Sequence, residues 1–164
     1  MSTKQFYAER IVALFLILWG GFRFLTLLLH TIQQFLFLDE SPLIPAYKFF
    51  TYLLSALPFF LIQLFTVFAG LLLFIPRRSG WSFSLAACCI HIGLVSMGFF
   101  QAFSMGSAQP DYMIRGMLLM VAFCSGLFIL LKYGRKRVQP LAKDWMLISL
   151  ISTIGLLTIF LTNA

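Results

Sequence analysis

Charge is what this chain most lacks. Only 10% of its 164 residues are Asp, Glu, Lys or Arg, and five of those are acids, whereas a soluble domain carries roughly 25% charged residues. The five acids are Glu9, Asp39, Glu40, Asp111 and Asp144, and all lie outside the long apolar runs. That distribution removes the usual proton carriers of a coupled transporter and any pair of intramembrane aspartates. Cysteine is also scarce. Cys88, Cys89 and Cys124 fall inside apolar runs, with no second pair at metal-ligand spacing, so they read as small buried hydrophobes rather than metal ligands. No G-x-S-x-G, H-E-x-x-H or P-loop pattern occurs, so no catalytic set is expected. Asp39 and Asp111 read as helix-terminal residues. There is no internal repeat, inverted or otherwise, and no polar stretch long enough for a second, soluble domain.

What is present is apolar. The chain is 61% hydrophobic, has a mean hydropathy of +0.97 and contains 20 phenylalanines. A water-soluble fold of that composition could not cover its surface with polar groups, and lipid is the solvent that fits. The expected fold is all-α, an integral membrane helical bundle in one domain, residues 1–164. Five transmembrane helices are expected over about 11–38, 50–75, 81–103, 112–131 and 145–161. The first run would reach about 42 Å at about 1.5 Å per residue, so it tilts or projects past a hydrocarbon core of about 30 Å. Lys4 and Arg10 ahead of it resemble a signal peptide. The run is too long for an h-region and no cleavage site follows closely, so a retained helix is expected.

Asp39, Glu40, Ser41 and Pro42 stop the first helix, Pro58 is placed to bend the second, and Pro76 to Gly80 reads as a tight turn. Pro110 and Asp111 suit the first turn of the fourth helix, proline because it gives up no needed N–H and aspartate because it meets the positive end of the dipole. The fifth run is short, and four spans plus an interfacial C-terminal helix is the alternative topology.

A net charge of +7 can signal nucleic acid, but here the basic residues sit in short segments between apolar runs, so no nucleic-acid partner is expected. With the N-terminus cytoplasmic, nine of the twelve basic residues fall inside: Lys4, Arg10, Arg77, Arg78, Lys132, Arg135, Lys136, Arg137 and Lys143. Lys48 and Arg115 fall outside, and Arg23 lies within a span. This is the positive-inside bias, and it puts Trp81 and Trp145 at the cytoplasmic interface. Size and charge bias point to a bacterial inner membrane. Lys132, Arg135, Lys136 and Arg137 form a basic cluster that would attract anionic lipid headgroups, at about 1 kcal/mol per residue; the plainer reading is a topology determinant.

Arg23 is the only charge deep inside a run, and burying it costs on the order of 2.5–3.5 kcal/mol on insertion scales. Gly20, Arg23, Leu27, His30 and Gln34 follow helical offsets, so they share one face, expected to turn away from lipid. Tyr52, Ser55, Gln63, Thr66 and Gly70 form a similar seam on the second helix, and Gly80, Ser84, Cys88, His91 and Gly98 on the third. The plain reading of such seams is helix packing. The sharper one is a midplane ligand site built from Arg23, Gln63 and His91, with His30 as an outer candidate. A lipid headgroup or a quinone carbonyl would suit it. A bis-histidine haem on His30 and His91 is disfavoured, because their depths differ by about 13 Å by residue counting. No cofactor and no metal are therefore predicted.

The motifs Glu9-Arg10-Ile11, Gly20-Gly21-Phe22-Arg23-Phe24 and the helix ending Gly70-Leu71-Leu72-Leu73-Phe74-Ile75-Pro76-Arg77-Arg78, with an arginine at the head of the fourth helix, resemble the small DoxX-like membrane proteins over about residues 9–135. That resemblance implies association with a respiratory or redox membrane system. Where the family often carries a glutamate in the second span, this chain has Gln63, which holds no charge. Two functions are expected in order: a non-enzymatic subunit or accessory protein of a larger membrane complex, with other membrane subunits as partners, or a small lipid- or quinone-binding protein.

Overall fold

The computed structural model describes residues 3–39, 46–75, 78–105 and 109–163, and the expected stop at Glu40 to Pro42 and the turn at Pro76-Arg77 lie outside them. Among the described residues the chain is all-helical. Helix α1 is Thr3–Asp39, α2 is Ala46–Phe74, α3 is Arg78–Ser104 and α4 is Pro110–Ile129. A π-helical turn, Leu130–Gly134, leads from α4 into a single α-turn, α5 (Arg135–Val138), and α6 is Ala142–Asn163. Every expected run is helical except for Ile75, a turn residue just past α2, and helix extends beyond each run at one end or both. Pro58 lies inside α2 without ending it.

Among the described residues, four segments are long and apolar enough to cross a membrane: Tyr7–Gln34, Leu53–Phe74, Ser79–Ser104 and Pro110–Gly134. Their outward faces are oily. Leu14, Leu18, Leu25, Leu29 and Ile32 of α1 are exposed, as are Leu118, Val121 and Phe128 of the fourth segment. A surface of this kind is solvated by hydrocarbon, not by water.

The interior explains the packing order. Helix α3 is central and packs on α2, α4 and α6, while α1 runs along α2 and touches α4 and the π-turn. The core gathers Leu16 from α1, Ala69 and Leu73 from α2, Trp81, Leu85 and Cys88 from α3, and Phe123 and Leu130 from the fourth segment. Glycines set the closest approaches. A Cβ on Gly20 would sit 2.9 Å from Val67 and one on Gly70 2.8 Å from the Ala13 carbonyl, so α1 and α2 meet backbone to backbone.

Three buried polar bonds tie α3 to its neighbours. Ser84 Oγ donates to the Ala69 carbonyl at 2.9 Å, His91 pairs with Thr66, and Trp81 Nε1 donates to the Leu130 carbonyl at 2.8 Å. The last bond stands at the π-turn, where the Arg135 N–H also reaches the Leu130 carbonyl. Gly134 lies against the Trp81 ring with no room for a side chain. The wider π-turn is thus shaped around a buried tryptophan, and Trp145 meets the same ring edge-on at 5.4 Å.

At the helix ends the local chemistry is as read. Pro110 and Asp111 occupy the first turn of α4. Gln139 adopts a left-handed φ of 48° after α5 and Pro140 follows, which ends that helix. Asp144 Oδ2 accepts the Leu141 N–H at 2.7 Å and so caps α6. Glu9, placed ahead of the first run by the sequence reading, is only 2% exposed, because α1 begins well before Ile11 and carries it into the bundle.

Candidate functional site

Helix contacts bring the polar seams together. The close approach at Gly20 fixes the register of α1 on α2, since a Cβ there would lie 3.0 Å from the Gln63 carbonyl. Trp19 and Arg23 therefore flank the level of Gln63. One turn on, Thr66 is fully buried. Its hydroxyl donates to the Ile62 carbonyl at 2.7 Å and lies 2.9 Å from His91 Nε2. A hydroxyl has one proton: with that proton on the Ile62 carbonyl, His91 Nε2 is the donor in the second bond, and the tautomer of the ring decides between this and the reverse.

The His91 ring is held on its other sides by aromatics. It stacks on Phe123 at 4.6 Å with an interplanar angle of 9°, and it meets Trp19 edge-on at 6.4 Å. Trp19 in turn lies edge-on to Phe123 at 6.0 Å. The Arg23 guanidinium sits over the Trp19 ring, 5.7 Å from its centroid, where the π-face offsets part of the cost of the charge.

These groups border a cavity of about 630 Å³ between α1, α2, α3 and α4. Arg23, Gln63 and His91 all line it, and so do Trp19, Tyr112 and Arg115. The remaining wall is apolar, mainly Phe and Leu side chains. The long dimension follows α4: Phe123 and Tyr112 are about 16 Å apart along it at about 1.5 Å per residue. The cavity thus runs from the middle of the bundle toward the end that holds the α4 N-terminus.

Two polar atoms on residues of its wall, Trp19 Nε1 and Gln63 Oε1, have no hydrogen-bond partner, and both are buried in the helix packing rather than open to the cavity. No carboxylate lines the cavity. Asp111, one turn from Arg115, is exposed and outside the lining.

His30 does not belong to this group. It is exposed on α1 and does not line the cavity. The stripe on α1 divides: Gly20 packs on α2 and Leu27 lines the cavity half-buried, Arg23 lines the cavity with its side chain exposed, and His30 and Gln34 are at the surface, so the face does not turn inward as a whole. On α2, Ser55 is exposed and the Tyr52 side chain lies outside the described residues. The basic cluster stands at the opposite end of α4. Lys132 and Arg135 are exposed, with the Lys132 ammonium 5.5 Å from the rings of Phe128 and Tyr133. The side chains of Lys136 and Arg137 lie outside the described residues.

Sequence reasoning missed Arg115, Tyr112 and Trp19. A signal was there: Tyr112, Gly116, Leu119 and Phe123 follow offsets of 4, 3 and 4, so they form one face of α4, and Arg115 borders it. Among the described residues no group of three or more His, Cys, Asp or Glu side chains comes together to hold a metal ion.

No protein-family model, curated protein or solved structure matches this chain. The likeness to DoxX-like proteins rests on the quoted motifs alone.

Proposed function

We propose that this protein binds an amphiphilic lipophile, with the polar end of the ligand among Arg23, Gln63 and His91. The observation that carries the reading is their convergence on one largely apolar cavity. Ligand pockets have this character: apolar walls with a few placed polar groups. A lipid headgroup or a quinone is the class of ligand. Native mass spectrometry of protein released in mild detergent tests it. A retained small mass, lost in Arg23→Leu while the protein still inserts, supports the reading. A bare chain, or a mass retained in Arg23→Leu, counts against it.

The topology that goes with this is five spans with the N-terminus in the cytoplasm of a bacterial inner membrane. The support is the nine-to-two distribution of Lys and Arg and the length of α6, whose 22 residues reach about 33 Å. The cavity then extends from the midplane toward the outer leaflet, and Lys132, Arg135, Lys136 and Arg137 meet anionic lipids at the inner one. Alkaline phosphatase fused after Ala164 is active if α6 crosses and inactive if it lies at the inner interface.

A subunit of a larger membrane complex is the second reading. The seam glycines that suggested it are occupied within the chain: Gly20 and Gly70 between α1 and α2, Gly80 against Leu72, Gly98 against Tyr112. Gly21, outside those seams, has nothing within 4 Å of a Cβ position and faces outward beside Leu14, Leu18 and Leu25, where a partner helix could approach closely. Co-purification of another polypeptide in fixed ratio, lost in Gly21→Leu, would favour this reading.

A further inference from the structure

Resting on the lipophile-binding reading, we infer that the ligand is an acid. Two arginines, Arg23 of α1 and Arg115 of α4, line the cavity.

Charge decides the head. Two permanent cations line one low-dielectric cavity, no carboxylate lines it, and no ion pair joins either arginine to a carboxylate among the described residues. Both arginine side chains are exposed, so neither needs a counter-charge in order to fold, but a cavity with two cations and no carboxylate in its wall complements an anion, and a neutral quinone supplies none. A carboxylate or a phosphate monoester does, in the planar, bidentate manner that guanidinium groups favour.

Three probes of equal chain length test it: tetradecanoate, its methyl ester and tetradecyl phosphate, each titrated against the full-length protein in mild detergent after delipidation. Both acids are expected to bind saturably, and tetradecanoate at least tenfold tighter than its methyl ester. Loss of that charge preference in Arg23→Leu, with partial retention in Arg23→Lys, supports the inference. If the methyl ester binds as tightly as the acid, the acid inference falls while the lipophile site stands. If no probe binds saturably and no small mass co-purifies, both this inference and the site beneath it fail. Tighter binding of the phosphate than of tetradecanoate assigns a phosphate head, and the reverse a carboxylate; each supports an acidic ligand.

Discussion

Replacing Thr66 by valine isolates one bond at the centre of the bundle. The two side chains have nearly the same volume, so packing changes little, but the hydroxyl that accepts the His91 N–H is gone. The Ile62 carbonyl loses the side-chain bond and keeps its helical one, so the group left unsatisfied is His91 Nε2–H. His91 is 4% exposed and Thr66 0%, so water cannot replace the partner. In water-soluble proteins an orphaned buried donor costs about 1–3 kcal/mol. Interhelical bonds in membranes average about 0.6 kcal/mol and reach about 1.7, because separated helices also find partners. Complete burial on both sides places this bond near the top of the membrane range, so Thr66→Val is expected to cost about 1–2 kcal/mol. Thr66→Ser keeps the hydroxyl, loses one methyl group and should cost about 1 kcal/mol or less. Equilibrium unfolding with SDS in mixed micelles reads both. ¹⁵N spectra of the imidazole should show the proton on Nε2 in the wild type. A Thr66→Val protein within about 0.3 kcal/mol of wild type, or a proton on Nδ1, would refute the bonding scheme around His91.

Other substitutions probe the packing. A methyl group at Gly134 collides with the Trp81 ring, so Gly134→Ala is expected to destabilise by about 1–3 kcal/mol in the same unfolding assay. Gly21→Ala meets nothing, and the higher helix propensity of alanine should leave it equal to wild type or about 0.5–1 kcal/mol more stable. Gly20→Leu, one residue away, must push Val67 and the Gln63 backbone aside; loss of a cross-link between cysteines placed on facing turns of α1 and α2 reports the separation. Asp144→Ala removes the cap on the Leu141 N–H and should cost about 1 kcal/mol, with faster amide exchange confined to the first turn of α6.

Some of this was legible from residue order and some was not, and the division has a physical cause. Helices and their approximate ends follow from apolar runs and breakers, and those signals are local. Their extension past the runs is not, because a helix continues into the polar zone wherever capping and packing permit. Glu9 shows the consequence: it reads as a flanking acid and is buried, since burial is decided by neighbouring helices and not by distance along one chain. Arg23, Gln63 and His91 were found because a polar residue in an apolar run is costly and so informative by itself. Arg115 sits near a helix end, where charge costs little, and its place in the cavity appears only when α4 is packed against α3.

The two orphaned atoms are the furthest from sequence. A tryptophan or a glutamine inside a span announces a polar group but not whether it is satisfied, and satisfaction is a property of the whole assembly. Here the bonding partners are spent pairwise: Ser84 on Ala69, Thr66 on Ile62 and His91, Trp81 on Leu130. Trp19 Nε1 and Gln63 Oε1 are among the buried atoms left over after that accounting, held inside the packing beside the cavity. What the wall itself gathers is no more local: Arg23, His91 and Arg115 come from three helices, and only the packing of α1, α3 and α4 brings them to one space.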